Sequence, residues 1–458
     1  MDREMLLTFY GDDFTGSTDV MEALTLNGIP SALFLNAPSV AEVEDFRLKN
    51  NFYAADRRIA AFGVAGISRT MNADQMQKQL PPIFEKISKV SSRFFHYKVC
   101  STFDSSPDIG NIGLGVEIAL RYFPSKWIPL IVGAPALNRF CVFGNLFARV
   151  NDITYRLDRH PTMSRHPITP MLESDLKVHL AAQTEREISL MDLLTLRANE
   201  RRQTEKLQKF MDAEGGYVLF DVLEDQDLVA AGKLISDFGS KTGQLIVGSS
   251  GVEHALCHYL KNVTHNRKTE AYRPEKAKRV IAVTGSCSPT TQLQIEWALA
   301  AGFEGIRINT MLLADADTRQ HEFDRIISIA SQALDADKHL VIYTALGPED
   351  EAISITKNTL GQHSAEASIG KFQGELLVTL LLLYIGTRVI VAGGDTSGHV
   401  TRALDIYALE LLAPVAPGAP LCLAHSHNPA FDGMEITLKG GQNGDEKYFN
   451  KILNGLAY

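Results

Sequence analysis

Short apolar runs alternate along the chain with polar, glycine-bearing loops and with segments in which apolar residues recur at helical spacing. The first run, MLLTFY, passes into the loop GDDFTGSTD and then into a helical pattern that stops at Asn27–Gly28. Ser17 and Thr18 are the predicted N-caps of that helix, because short hydroxyl side chains satisfy the first free N–H groups. The pattern therefore predicts a strand, a loop and a helix.

The same order recurs over the whole chain, which predicts an α/β fold with largely parallel sheets. Further strands are predicted in SALFL, RIAAFGVAG, RFFHYKVC, WIPLIVGA, GYVLFDVL and GQLIVGSSG. The stretch Lys261–Arg279 is polar, basic and nearly free of aliphatic residues, so we expect it to be an interdomain linker. Beyond it the pattern restarts with RVIAVTGSC. We therefore expect two α/β domains, at residues 1–262 and 263–458.

Composition narrows the classes of partner. The 458 residues carry a formal net charge of −9, which argues against a nucleic-acid-binding surface. The five cysteines are scattered and form no C-x-x-C pair, and no signal-peptide pattern opens the chain, so we expect a reducing, cytoplasmic setting. The longest apolar stretch, Leu376–Gly386, is shorter than the roughly 20 residues that span a bilayer. It is predicted to be a buried helix, and no membrane partner is expected.

Three glycine-rich loops follow predicted strands in the C-terminal half, namely TGSCSPTTQ, AGGDTSGHV and LKGGQNGDE. Gly393 and Gly394 would let the backbone approach a phosphate closely, and the next helix N-terminus would offer free N–H groups. Each loop alone fits an ordinary capped turn equally well. Neither a P-loop nor the G-x-G-x-x-G fingerprint is present. Together the loops favour a nucleotide held by its phosphates over a nicotinamide cofactor.

The N-terminal half instead places cations, hydroxyls and carboxylates after its strands. The residues concerned are Asp12, Asp13, Arg69, Lys98, Ser101, Thr102, Asp104, Arg139, His166 and Thr169. Such a set fits a small polyhydroxy acid, with Arg or Lys for its carboxylate and Asp for its hydroxyls. Surface charges and helix caps are the competing interpretation for each residue. Asp12 and Asp13 are the least ordinary pair, because adjacent like charges repel and cost free energy to bury.

Taken in order, these loops resemble the motifs of the four-carbon acid sugar kinase family. The segments that carry the resemblance are GDDFTGSTD, YKVCSTFDSSPDIGNIG, RHPITPM, GSCSPTTQ, AGGDTSG and LKGGQNGDEKYF. The resemblance covers nearly the whole chain. It implies an N-terminal sugar-acid domain, a C-terminal nucleotide domain with an active-site cleft between the two, and ATP as the phosphoryl donor. Mg²⁺ is expected to accompany ATP and to bridge its phosphates.

The resemblance can be carried over residue by residue. The substrate residues that it implies, together with the cation and the histidine expected from their loops, are Asp12, Asp13, Arg69, Lys98, Val99, Cys100, Ser101, Thr102, Arg139 and His166. The nucleotide residues that it implies are Ser286, Ser288, Gly393, Gly394, Asp395, Thr396, Gly440 and Gly441. No particular metal ligand is assigned.

Two departures from the family pattern are informative. Many members have an aspartate where this chain has Cys100, and KVCSTFDSS resembles the branch that acts on 3-oxo acids such as 3-oxo-tetronate. Within that branch, SSPDIGNIG and APALNRFCVFGNLF resemble members that act on 3-oxo-isoapionate. Gly11 replaces the usual alanine, a change that we expect to be harmless.

The predicted reaction is phosphorylation of a sugar-acid hydroxyl, with Asp13 or Asp104 as the carboxylate that accepts its proton. A kinase for a plain four-carbon acid such as threonate or erythronate is an alternative, and so is a sugar-acid sensor without activity. A homodimer is the expected assembly, because two-fold dimers are the commonest oligomers of soluble proteins.

Overall fold

A computed structural model describes residues 5–50, 57–150, 152–165, 169–212, 216–263 and 274–456. The chain divides into two compact units. Unit 1 comprises Met1–Leu48 and Tyr53–Thr269, and unit 2 comprises Lys49–Phe52 and Glu270–Tyr458. Most of the predicted linker, residues 264–273, lies outside the described residues.

Unit 1 is built on a parallel sheet. Its strands are β1 (Met5–Gly11), β2 (Ser31–Phe34), β3 (Ala61–Ala65), β4 (Ser92–Lys98), β5 (Ile128–Ile131), β6 (Arg139–Val142), β7 (Asn145–Val150), β8 (Ile153–Arg156), β9 (Ile188–Met191), β10 (Tyr217–Phe220) and β11 (Gln244–Gly248). The sheet order is β2-β3-β1-β4-β11-β5-β10-β9, and every pair in it is parallel. Strands β6, β7 and β8 form a separate antiparallel sheet.

Helices accompany the sheet of unit 1. They are α1 (Phe14–Leu26), α2 (Val40–Asp45), α3 (Ala73–Ser88), α4 (Ile112–Leu120), α5 (Leu176–Ala181), α6 (Leu193–Leu196), α7 (Glu200–Met211), α8 (Asp225–Phe238) and α9 (Gly251–Val263). Every residue of β1 from Leu7 to Gly11 is buried, as is usual in a parallel sheet covered on both faces. Phe84 of α3 packs edge-on against Tyr10 and Phe95, with ring centroids 5.4 and 5.5 Å apart. These contacts fix the helix against the strands that lead into the candidate site.

Unit 2 has a mixed sheet. Its strands are β12 (Val280–Thr284), β13 (Glu304–Arg307), β14 (Leu340–Tyr343), β15 (Arg388–Ala392), β16 (Ile406–Ala413), β17 (Leu421–Ser426) and β18 (Glu435–Lys439). In the order β13-β14-β12-β15-β18-β17-β16, the first five are parallel, whereas β17 is antiparallel to both of its neighbours. The helices are α10 (Pro289–Ala300), α11 (Ala316–Asp335), α12 (Glu351–Leu360), α13 (Gln362–Leu383), α14 (Gly394–Ala403) and α15 (Tyr448–Asn454). The predicted α/β class with largely parallel strands is confirmed, although the antiparallel strands were not predicted.

A buried carboxylate on β16 joins unit 2 to a short segment from early in the chain. Glu410 is fully buried and accepts hydrogen bonds from the backbone N–H of Lys49 (2.9 and 3.0 Å) and of Asn50 (2.9 Å). The amide of Asn50 also donates to the carbonyl of Leu411 (3.1 Å). These bonds explain why residues 49–52 belong to unit 2.

Two local predictions need correction. The N-cap of α1 is Asp13, not Ser17 or Thr18, because the Asp13 carboxylate already accepts the Gly16 N–H (2.8 Å) and the helix begins at Phe14. The apolar stretch from Leu376 lies in α13 as predicted, but Leu382 and Leu383 at its end are exposed, so the helix is only partly buried. Within the described residues, no helix combines the length and apolar character needed to cross a membrane.

Candidate active site

Strand register brings the loops of unit 1 together. Gly11 at the end of β1 lies opposite Ala65 of β3 and Lys98 of β4, and Lys98 lies opposite Gly248 of β11. The loops after these strands therefore start from one row at the carboxyl edge of the sheet, where parallel α/β sheets place their ligands. Backbone bonds from Asp12 N to Lys98 O and from Gly66 N to Gly11 O (both 2.9 Å) hold the row in place.

Asp12 and Asp13 share one cation, Arg69, but their environments differ. The Asp13 carboxylate caps α1 and pairs with the terminal guanidinium nitrogen of Arg69, so both of its oxygens are engaged. Asp12 is buried, its Oδ2 lies 3.7 Å from Arg69 Nε, and its Oδ1 has no hydrogen-bond partner. Burial raises the pKa of Asp12 to about 7, although the positive charge of Arg69 offsets part of the effect. The two adjacent aspartates thus have distinct environments.

The turn that holds these carboxylates is tightly packed. Asp13 O accepts hydrogen bonds from the N–H (3.1 Å) and the hydroxyl (2.6 Å) of Ser17. A Cβ at position 11 would lie 2.0 Å from Ser17 Oγ. An alanine at position 11 of this chain would need the space that the Ser17 hydroxyl occupies, so the glycine suits the turn as it is packed here.

Lys98 is buried between carboxylates of unit 1. Burial raises the pKa of Asp12 and of Asp19 on α1, and the positive charge of Lys98 offsets part of this rise.

A buried histidine–glutamate pair lies two residues before Lys98. His96 Nδ1 lies 2.6 Å from Glu253 Oε1 of α9, and His96 Nε2 lies 3.1 Å from Gly248 O. The last contact requires an N–H on Nε2, so one further proton is shared between the histidine and the glutamate. This buried pair escaped the sequence analysis because its members are 157 residues apart.

The predicted Cys-Ser-Thr segment forms a hydrogen-bonded loop. Thr102 Oγ1 donates to Asp104 Oδ1 (2.5 Å) and lies 2.9 Å from Cys100 Sγ, while Thr169 Oγ1 donates to Asp104 Oδ2 (3.3 Å). Both oxygens of Asp104 are therefore engaged. Burial raises the pKa of the Cys100 thiol to about 11, so it is neutral near pH 7. Phe103, between Thr102 and Asp104, is fully buried and has a φ of 54°, a left-handed conformation that is uncommon for a bulky residue.

Arg139 differs from the other predicted cations. Its Nη1 donates to the carbonyls of Leu137 (3.1 Å) and Asn138 (3.2 Å), its buried Nε has no partner, and no described carboxylate pairs with it. Burial lowers the pKa of Arg139. A thiolate at Cys100 would raise the pKa of Arg139, because the two side chains are close enough for their charges to interact. The structure thus holds a half-buried guanidinium, with a buried and unpartnered Nε, near the segment that contains Cys100.

The remaining substrate predictions divide three ways. Val99 has a fully buried side chain, and its N–H donates to Gly248 O (2.8 Å), so its side chain belongs to the core. Ser101 is half-buried in the loop after β4. His166 lies outside the described residues.

In unit 2 the three predicted glycine loops meet. The ends of β12, β15 and β18 align through Thr284, Ala392 and Lys439, so each loop starts from the same row. Ser288 is the N-cap of α10; its hydroxyl accepts the Thr291 N–H (3.1 Å) and donates to the carbonyl of Gly441 (2.5 Å). Hydroxyls from one loop therefore bind the backbone of another.

The glycines at this edge have a steric purpose. A Cβ at Gly285 would lie 2.3 Å from Thr396 Oγ1, and one at Gly441 would lie 2.6 Å from Ser286 Oγ. Gly393, the N-cap of α14, has a φ of 125°, which side chains rarely tolerate. Side chains at these positions would separate the loops. The helix N-termini of α10 and α14 are thus held at one edge of the sheet, a common arrangement for binding phosphate.

The other predicted nucleotide residues lie at the surface of the same loops. Gly394 and Asp395 are exposed in the first turn of α14, and a Cβ at Gly394 would meet nothing within 4 Å. Gly440 is half-buried between Lys439 and Gly441. Among the described residues, no group of three or more His, Cys, Asp or Glu side chains is placed to hold a metal ion.

Two buried polar side chains of unit 2 adjoin the predicted site: Lys439 belongs to the predicted turn LKGGQNGDE, whereas Gln373 was not predicted. The Lys439 ammonium is buried and donates to Thr291 Oγ1 (3.4 Å), and burial lowers the pKa of Lys439 to about 7. Gln373 of α13 is fully buried and donates to Thr284 O (3.0 Å), but its Oε1 has no partner. The sequence contained a signal for Gln373, because this polar residue lies four positions before Leu377 and therefore on the same apolar face of the helix.

Comparisons with known proteins assign a family model to each half of the chain. A family model described as a sugar-binding N-terminal domain matches residues 7–256, and one described as a nucleotide-binding C-terminal domain matches residues 281–449. The chain is 39% identical over 457 residues to a 3-oxo-isoapionate kinase of Paraburkholderia graminis, covering 98% of this chain and 94% of that protein. It is 28% identical to a 3-oxo-tetronate kinase of Cupriavidus necator, covering 99% and 97%.

Solved structures support the fold. A protein of Salmonella typhimurium superimposes with a TM-score of 0.78 at 23% identity, covering 98% of each chain. A protein of Haemophilus influenzae superimposes with a TM-score of 0.74 at 22% identity, covering 98% of this chain and all of that one (100%). The two family models, in this order and over these lengths, confirm the resemblance drawn from the sequence motifs. The chain therefore belongs to the four-carbon acid sugar kinase family, in which a sugar-binding N-terminal domain precedes a nucleotide-binding C-terminal domain.

Proposed function

We propose that this protein is an ATP-dependent kinase that phosphorylates a hydroxyl group of a 3-oxo sugar acid. The observation that carries the proposal is the cluster of Asp12, Asp13 and Arg69, in which a buried carboxylate keeps one oxygen without a partner. An unpaired buried carboxylate is costly unless a ligand uses it. The relative with 39% identity is named a 3-oxo-isoapionate kinase, against 28% for a 3-oxo-tetronate kinase, so 3-oxo-isoapionate is the substrate we favour.

Arg139 is the group that we assign to the substrate carboxylate. Arg69 is already paired with two aspartates, whereas Arg139 has a buried, unpaired Nε and no carboxylate partner among the described residues. A planar guanidinium binds carboxylates through two parallel hydrogen bonds, which would also orient the acid. An aspartate at position 100 would repel the substrate carboxylate bound by Arg139, whereas the neutral Cys100 thiol does not.

Asp12 is the carboxylate best suited to accept the proton of the reacting hydroxyl. Asp104 accepts hydrogen bonds on both oxygens, and Asp13 caps a helix and pairs with Arg69, so neither of these predicted bases has a free oxygen. Asp12 has a free Oδ1, and burial raises its pKa to about 7. A general base works best when its pKa is near the working pH, because it is then both deprotonated and basic.

The loops of unit 2 would hold the nucleotide by its phosphates. Phosphoryl transfer needs alignment and charge neutralisation more than covalent help from the protein. The N-termini of α10 and α14 and the Lys439 ammonium supply positive charge at this edge. Mg²⁺ usually binds one or two carboxylates together with substrate phosphates, and Asp395 in the first turn of α14 fits that part. When bound, the ion would neutralise charge on the phosphates.

One assay tests the proposal against its alternatives. ADP release is measured with ATP and a panel of 3-oxo-isoapionate, 3-oxo-tetronate, threonate and erythronate. Release that depends on a 3-oxo acid is the expected result. Preference for threonate or erythronate would assign the enzyme to plain four-carbon acids. Binding of an acid by calorimetry without any ADP release would favour the sensor.

The assembly is also part of the proposal. We expect a homodimer, because two-fold dimers are the most frequent oligomers of soluble proteins. Light scattering of the purified chain tests this expectation directly, and a monomeric mass would contradict it.

A further inference from the structure

One face of the small antiparallel sheet in unit 1 carries polar side chains from three segments. Arg139 of β6 lies opposite Ala148 of β7, and Ala148 lies opposite Tyr155 of β8. Residues directly opposite each other in antiparallel strands point to the same face of the sheet. The ring of His160, which follows β8, packs edge-on against Tyr155 with the ring centroids 6.0 Å apart. Arg139, Tyr155 and His160 are therefore grouped on this face, with only a small alanine between the two strand residues.

The imidazole of His160 is fixed in one protonation state. Its Nδ1 accepts hydrogen bonds from the backbone N–H groups of Thr162 (3.2 Å) and Met163 (3.1 Å). Both of these groups can only donate, so Nδ1 carries no proton and the neutral ring carries its proton on Nε2. Burial lowers the pKa of His160, and the positive charge of nearby Arg139 lowers it further, so the ring is neutral near pH 7. His160 Nε2 is therefore a hydrogen-bond donor.

This donor lacks an acceptor within the part of the chain that the structure describes. His160 is only 4% exposed, and neither its Nε2 nor Arg139 Nε has a hydrogen-bond partner among those residues. A buried N–H group without an acceptor costs free energy, and such groups are rare in folded proteins. Two of them on one face indicate a ligand that brings two acceptor oxygens.

Cys100 connects this face to the candidate active site. Its side chain is close enough to Arg139 for their charges to interact, and it is equally within reach of the charges of Arg69 and Asp104. Cys100 therefore neighbours both the carboxylate cluster and the face that carries His160. A small acid bound by Arg139 would have the carboxylate cluster on one side and His160 on the other.

We propose that His160 donates its Nε2–H to the 3-oxo oxygen of the substrate whose carboxylate Arg139 binds. The inference rests on the proposed function, because it takes a 3-oxo sugar acid as the ligand of unit 1. The charged guanidinium suits the carboxylate, whereas the neutral imidazole suits the uncharged carbonyl oxygen. This imidazole can only donate and a carbonyl oxygen can only accept. A 3-hydroxyl in the same place would need another acceptor for its own proton, so His160 favours 3-oxo acids over plain four-carbon acids.

Two substitutions separate this role from the hydrogen bonds that His160 makes within its own turn. His160→Asn keeps an acceptor near the position of Nδ1 and loses the donor at Nε2, whereas His160→Gln keeps a donor near Nε2 and loses the acceptor. Steady-state kinetics with 3-oxo-isoapionate gives KM and kcat, and thermal unfolding reports on the turn. We expect His160→Asn to raise KM about tenfold with kcat within about threefold of wild type. His160→Gln should keep KM within about threefold although its Tm is lower.

Threonate, tested as an inhibitor of the same reaction, identifies the oxygen that His160 contacts. It has a hydroxyl group where the substrate has the 3-oxo group. His160→Asn should change its inhibition constant less than about threefold, because the donor contributes less to a hydroxyl oxygen than to a carbonyl oxygen.

Each other outcome is decisive. An unchanged KM for His160→Asn overturns the inference and leaves the kinase proposal intact. A larger rise in KM for His160→Gln than for His160→Asn also overturns it, because His160 would then act only by holding its turn. An equal rise in the KM for the 3-oxo acid and in the inhibition constant of threonate overturns the assignment to the 3-oxo oxygen. If the wild-type protein releases no ADP with any acid of the panel, the proposed function fails first, and the inference fails with it.

Discussion

Replacing Asp12 by asparagine should stabilise the protein while strongly lowering its activity. Asparagine keeps the shape of the carboxyl group and removes its charge. The cluster in unit 1 holds Asp12, Asp13 and Asp104 against Arg69 and Lys98, so the substitution also removes the excess negative charge. The proposed base, however, would be lost.

The size of the stabilisation follows from the pKa of Asp12. Its value is raised from 3.8 in the unfolded chain to about 7 in the fold, mainly by burial. Below pH 3.8 the Asp12 carboxyl is neutral in both the folded and the unfolded chain, so it does not lower the free energy of unfolding. As pH rises between the two pKa values, the unfolded chain gives up its proton first, so the fold loses stability, and the full penalty is present above pH 7. Three pKa units correspond to about 4 kcal/mol as an upper bound.

Thermal unfolding between pH 5 and pH 8 measures this effect. At roughly 2 °C per kcal/mol for a unit of this size, we expect Asp12→Asn to raise Tm by about 4 °C or more at pH 8. At pH 5 the increase should be about a third as large, because most of the wild-type carboxyl is still protonated. The same variant should lower kcat by about 10²–10⁴ with little change in ADP affinity.

Asp13→Asn is the matched control for this prediction. Asparagine caps helices as well as aspartate does, but the variant loses the pair with Arg69, so no increase in Tm is expected at pH 8. A Tm for Asp12→Asn at pH 8 that equals or falls below the wild-type Tm would refute the claim that the charged Asp12 carboxylate destabilises the fold. Near-normal turnover of Asp12→Asn would show that the base lies elsewhere.

Three further predictions concern the loops and the buried lysine. Gly285→Ala should weaken ADP binding at least tenfold, since its Cβ would displace a hydroxyl, whereas Gly398→Ala, at an exposed position of α14 outside the predicted site, faces open space and should stay within twofold; calorimetry compares them, and equal affinities would contradict the steric argument. ADP affinity should fall about tenfold between pH 7 and 8.5 as Lys439, with a pKa of about 7, loses the proton that favours phosphate; Lys439→Met should bind more weakly with a flatter profile, and an unchanged profile would contradict this role. Gly11→Ala should lower Tm, and adding Ser17→Ala should recover part of the loss, because the hydroxyl is what the methyl group meets; no recovery would place the strain elsewhere.

Much of the fold could be predicted because parallel strands and their loops have a strong sequence pattern. Apolar runs followed by glycine-rich loops gave the strand ends at Gly11, Lys98, Thr284 and Ala392, and the rule that ligands bind at carboxyl ends placed their loops together. The sequence did not predict which of several neighbouring residues caps a helix, nor which residues far apart in the chain pair with each other. Asp13 and not a later hydroxyl is the N-cap of α1, because its carboxylate accepts the Gly16 N–H directly.

The rest of the site depended on facts that sequence does not contain. That Asp12 keeps a free oxygen while Asp104 does not depends on which hydroxyls fold onto each carboxylate. Lys439 was visible beside its glycine turn, but its burial, and the fact that no carboxylate of the described residues pairs with it, could be learned only from the structure. Arg139 likewise differs from Arg69 by its neighbours rather than by its position in a motif.

The segment at Lys49 and Asn50 limits how this protein can be cut. A fragment that starts at the linker would contain Glu410 without the two backbone donors that solvate it inside the fold. Such a fragment would retain a buried negative charge with fewer hydrogen bonds, a defect that costs several kcal/mol. The nucleotide half therefore depends on a short segment from the other half of the sequence, and we expect a fragment that begins at the linker to gain stability when Lys49 and Asn50 are supplied in a peptide or by circular permutation.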